Sequence, residues 1–110
     1  MNPTRTDKHG FTYYLRGAIT AENAEAVRDQ VANAYGREGD GDLILEMSEV
    51  DFLDSMGVGM LVSLSRIVRA RRSTLRLCGL QPSPRMVLEI TRIDRIIPIY
   101  PTAMAATVAS

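Results

Sequence analysis

The sequence predicts an α/β domain on a four- to five-stranded mixed sheet, with helices packed mainly on one face. Three observations predict it. Short runs with strand patterning alternate with longer runs at helical spacing. The run Leu43-Ile44-Leu45-Glu46-Met47 is apolar on both faces, as a central strand must be. The first long strand and the Thr74–Cys78 strand instead alternate apolar and polar residues, which leaves one sheet face lightly covered. The 110 residues form one domain, residues 1–110, and its 45% apolar content supplies a modest core.

Taken in order, Asp7-Lys8-His9-Gly10 is turn chemistry, with room for a short strand before it. From Phe11 to Arg16, Phe11, Tyr13 and Leu15 face inward while Thr12, Tyr14 and Arg16 face a wetter side. Thr20 is placed to cap a helix, with Glu22 and Glu25 in its first turn. Ala24, Val27, Val31 and Ala34 give that helix its apolar stripe, and it should end near Tyr35-Gly36. Three glycines among charges make Gly36–Gly41 a loop.

The central strand follows, then a loop over Ser48–Asp54 and a second helix capped by Ser55. The first half of that helix is apolar nearly all round and should be buried. Its last part carries Arg66, Arg69, Arg71 and Arg72, a solvated C-terminus that complements the helix dipole. In the next strand Leu75 and Leu77 point inward. Ser83-Pro84 starts a third helix, with Val87, Leu88 and Thr91 on its core side. Ile96–Tyr100 reads as an edge strand, because Pro98 has no N–H for a ladder. Pro101-Thr102 opens a short terminal helix of small residues.

Charge narrows the functional classes. The net charge is zero, which disfavours general affinity for nucleic acid. Residues 1–57 carry about −6 and residues 58–110 about +6, a dipolar surface suited to a protein partner. The single cysteine, Cys78, allows no internal disulfide. No stretch has the layout of a signal peptide, and no apolar run is long enough for direct membrane insertion. The expectation is a soluble, cytoplasmic protein.

Catalytic chemistry finds little footing, and the expectation is no enzyme and no cofactor. The lone His9 sits in a turn with nothing to orient it for a nucleophile. One cysteine and one histidine give no metal spacing, and Asp51 with Asp54 is an ordinary loop pair. Cys78 reads as a plain strand residue. Gly57-Val58-Gly59 fails as a dinucleotide fingerprint, since Val62 stands where the third glycine belongs.

One segment resists a purely structural reading. After Ser55, Gly57 and Gly59 fall in the first turn of a helix, each costing about 1 kcal/mol relative to alanine. Glycine there implies close approach of a neighbouring backbone or a docking protein, with Met56 exposed beside it.

The stretch Leu43-Ile44-Leu45-Glu46-Met47-Ser48, followed by Val50-Asp51-Phe52-Leu53-Asp54-Ser55-Met56-Gly57-Val58-Gly59, resembles the signature of STAS domains of the anti-sigma factor antagonist type. The resemblance extends through Leu15-Arg16-Gly17-Ala18-Ile19, Leu75-Arg76-Leu77-Cys78-Gly79 and Val87-Leu88-Glu89-Ile90-Thr91, about residues 10–100. It departs at Thr20, where the family often has an acid, at Glu46 in place of Asp, and at Met56 in place of a small residue.

The resemblance implies partner switching. The unmodified protein binds an anti-sigma factor that is also a Ser kinase, and so frees a sigma factor. Phosphorylation of Ser55 ends the binding, and a Ser phosphatase restores it. The implied partner surface is Thr20, Asp51, Asp54, Ser55, Met56, Gly57 and Gly59. STAS-like domains also serve as unmodified interaction modules in sulfate and other anion transporters, stress-sensing assemblies and lipid-transport complexes.

Overall fold

A computed structural model describes residues 4–7 and 10–109. The centre of the first turn, Lys8 and His9, lies outside the described residues. Strands β1 (Thr4–Asp7) and β2 (Gly10–Arg16) lead to helix α1 (Ala24–Glu38), β3 (Leu43–Glu49) and α2 (Ser55–Ala70). Next come β4 (Leu75–Cys78), α3 (Pro82–Ile90), a 3-10 turn (Ile93–Arg95), β5 (Ile99–Tyr100) and α4 (Ala103–Val108).

The five strands lie in the order β1-β2-β3-β4-β5. β1 is antiparallel to β2, and the other pairs are parallel. Each new parallel strand therefore adds on the same side of the last, and right-handed crossovers carry α1, α2 and α3 to one face. Phe11, Leu45 and Met47 meet Val31, Leu61 and Leu88 there in the main core. The predicted mixed sheet with helices mainly on one face is the observed architecture, and β5 is the predicted edge, shortened to Ile99–Tyr100.

Several local expectations are corrected. α1 runs to Glu38, with Gly36 inside it; the helix ends where the Gly39 N–H donates to Tyr35 O. β3 extends to Glu49, so Ser48 and Glu49 belong to the strand and not the loop. α3 starts at Pro82 after Gln81, one proline earlier than read, because the first turn needs no N–H from it. Thr91 is exposed and turns its hydroxyl to Val87 O at 2.8 Å.

The face read as wetter is covered in its middle. Ile44, Cys78 and Ala106 form a second cluster under α4, and Thr12 and Arg76 are buried on the same side. Arg71, exposed with the other arginines at the end of α2, also ties two helix ends: it stacks on Tyr35 and donates to Tyr35 O and Gly39 O.

Candidate functional site

The fold delivers Ser55 to an open corner. β3 is fully buried along its apolar length, and the chain leaves it through Val50 and Leu53, both core residues. Between them Asp51 and Phe52 are exposed. The chain then enters α2 at Ser55, which is exposed and whose hydroxyl has no hydrogen-bond partner among the described residues.

Ser55 is not the cap. Asp54 is: its Oδ1 accepts from Met56 N and Gly57 N, both at 2.9 Å. Its Oδ2 accepts from Ala21 N at 2.9 Å, a bond across the loop after β2. The Gly57, Ala21 and Met56 amides hold its carboxyl below the usual 3.8, because hydrogen bonds to the charged form favour it. Asp54 thus takes the role expected of Ser55 and leaves the serine hydroxyl unengaged.

The loop it grips is itself well tied. Ile19 pairs with Leu53, its N–H donating to Phe52 O, while Asp54 N donates to Ile19 O. Thr20 Oγ1 accepts from Glu22 N, and Asn23 Oδ1 accepts from Thr20 N, a reciprocal capping arrangement. Thr20 therefore caps a turn that precedes α1 rather than the helix itself, which begins at Ala24.

The two glycines separate. A Cβ on Gly57 would meet Ile19 O at 2.6 Å, so the neighbouring backbone demands that glycine. A Cβ on Gly59 would meet nothing within 4 Å. Gly59 and Met56 line a shallow groove of about 240 Å³ between α1 and α2, with Ala24, Glu25, Arg28 and Ser63. Met56 is 56% exposed and Phe52 46%, two apolar side chains in water flanking Ser55 in sequence.

The family model of the STAS domain matches residues 2–106. The chain belongs to the STAS domain family. The anti-sigma-B factor antagonist of Listeria monocytogenes is 33% identical over 86 residues, 78% of this chain and 75% of the relative. Among solved structures, the Thermotoga maritima protein TM1081 superposes with a TM-score of 0.85 at 23% identity, covering 94% of this chain and 89% of its own. The anti-sigma factor antagonist SpoIIAA, in its unphosphorylated form, does so at 0.75 and 19%, over 94% and 90%. Both structural likenesses concern the fold.

Within this STAS domain Asp54 ties the Ala21 amide, next to Thr20, to the helix start at Ser55–Gly57, and Gly59 follows one turn on. Asp51 stays in the exposed loop ahead, with no bond to the others. Of the three positions that depart from the family pattern, Thr20 and Met56 belong to this corner. Glu46 does not: it lies on the α4 face, where its Oε1 accepts from Ser48 N and Oγ. Asn23 and the groove residue Arg28 were not foreseen; the only signal for Asn23 was a polar residue three positions after Thr20. Among the described residues no three His, Cys, Asp or Glu side chains converge as metal ligands, and no helix is long and apolar enough to cross a membrane.

Proposed function

We propose that this STAS domain is a cytoplasmic, non-catalytic anti-sigma factor antagonist whose partner is an anti-sigma factor with Ser kinase activity. Unmodified, it binds that partner through the α2 tip and the adjoining groove, and a sigma factor is released. The kinase phosphorylates Ser55 and binding ends; a Ser phosphatase reverses the change. The observation that carries the reading is an exposed, unbonded Ser55 on a helix start held by its neighbour Asp54.

The charge arithmetic supports it. A phosphate adds about −1.5 to −2 charges at the positive end of the α2 dipole, which tolerates them. Met56 N and Gly57 N are already taken by Asp54, so the phosphate is not drawn into the helix end. It stays at the surface beside Asp51 and Asp54 and opposes a closely packed or acidic partner. The names of relatives such as the Listeria antagonist support the same partner class.

The test is phosphorylation by the host's anti-sigma factor kinase with ATP. One phosphate should appear, on Ser55, and Ser55→Ala should take up none. Ser55→Ala should bind the kinase and Ser55→Asp should not, while both keep stability within about 0.5 kcal/mol of the parent. Phosphate on another residue, or equal binding by the two variants, would sink the proposal.

A further inference from the structure

The short helix α4 depends on the sheet beneath it. Its six residues are too few to persist as a helix in water. It lies across β3, β4 and β5, and its grip on the sheet comes from the small side chains Ala103 and Ala106. Met104 and Val108 face solvent, 77% and 65% exposed, and add nothing to that grip.

Polar ties hold both ends. Thr102 Oγ1 accepts from Ala105 N at 3.1 Å at the start. At the other end Arg76 reaches up from β4 and donates to Ala106 O at 2.8 Å and to Ala109 O. Asp42 holds the same guanidinium at 2.9 Å from the sheet side.

These terms oppose one another. Closing α4 satisfies helix-end carbonyls with a cation, the sign the dipole favours. It also takes Arg76 down to 9% exposure and leaves its Nε buried without a partner. The apolar gain is a cover for Ile44 and Cys78 by little more than an alanine. Opening returns Arg76 to water and breaks no strand pairing.

We infer that α4 is a strap that opens while the five-stranded sheet stays folded, and that its opening uncovers an apolar strip of Ile44, Cys78 and Tyr100. The strip lies on the sheet face opposite α2.

The protein carries its own reporter. Cys78 is the only cysteine and is fully buried, its thiol pushed up to about 12 by burial and then by Glu46. It reacts only when uncovered. In native buffer, 5,5′-dithiobis(2-nitrobenzoic acid) should label it about 100-fold more slowly than in urea, a subglobal opening. Global unfolding would impose a slowing of roughly 10⁴-fold or more.

Thr102→Ala removes an exposed cap of the strap and should speed labelling about 5-fold while lowering the thermal midpoint by only a few degrees. Val68→Ala weakens the main core on the other face and should lower the midpoint without speeding labelling. The inference is overturned if Val68→Ala speeds labelling as stability falls while Thr102→Ala does not. It is equally overturned if the parent reacts at the rate of the urea-unfolded chain, since the strap would then not be closed.

Discussion

Asp54 and Asp42 are both half-buried and both fasten a helix to the rest of the domain, but with opposite kinds of partner. Asp54 sits at the exposed tip of α2 and uses backbone amides: Ala21, Met56 and Gly57. Asp42 stands just before β3, accepts from Thr74 N, and pairs with the buried cation that holds α4. An anchor made of amides in water leaves the next side chain free to change its charge. An anchor made of a buried charge leaves no such freedom. The residue beside the first anchor is Ser55; at the second, Arg76 and Asp42 are bound to one another's state.

The largest effect should come from breaking the buried anchor. Asp42→Ala leaves Arg76 without its counter-charge and should cost about 3 kcal/mol, lowering the midpoint in calorimetry by roughly 15 °C. Adding Arg76→Met should recover most of that loss, because an apolar pair of similar volume replaces a buried ion pair at little cost. A single variant as stable as the parent would erase the contrast between the two anchors.

Next comes the pair of glycines at the exposed anchor. Gly57→Ala forces a Cβ against the Ile19 carbonyl and should cost about 2 kcal/mol in chemical denaturation. Gly59→Ala meets open space and should gain up to about 1 kcal/mol from helix propensity. If the groove receives the anti-sigma factor, Gly59→Ala should nonetheless weaken that binding. Opposite signs in stability and binding from one methyl group would separate a docking glycine from a packing one.

These contrasts also explain what the sequence could and could not reveal. The order of elements and the edge strand followed from periodicity, because the sheet needs alternating and continuous apolar runs; the first half of α2, read as buried, is buried at Gly57, Val58, Met60 and Leu61 but exposed at Ser55, Met56 and Gly59. Gly57 and Gly59 stood out as costly in a helix, but which one faced the chain's own backbone depends on the Ile19 loop, distant in sequence from both. Serine and aspartate are both good caps, so Asp54-Ser55 left the cap ambiguous by one residue, and the Ala21 amide decided it. Arg76 alternated with leucines and looked solvent-facing; only the return of the last helix over that face buries it. The misreadings at Gly57, the α2 cap and Arg76 share one cause: a distant segment came back to cover or to grip a locally ordinary residue.

The smallest expected effect tests the exposed anchor through pH. The folded value of the Asp54 carboxyl lies below 3.8, set by the amides of Gly57, Ala21 and Met56. A group whose value falls on folding stabilises the native state above its unfolded value and loses that contribution as pH drops through its folded value. Asp54→Asn keeps one acceptor for the helix amides but presents a donor to Ala21 N, so the loop after β2 should loosen at pH 7. The parent should then be modestly the more stable protein at neutral pH, and the two unfolding curves should converge as the pH falls below 3.8 and Asp54 takes up its proton. Full separation at low pH would mean that the substitution costs packing rather than charge. Convergence would show that the charge of the Asp54 carboxylate is what holds the tip.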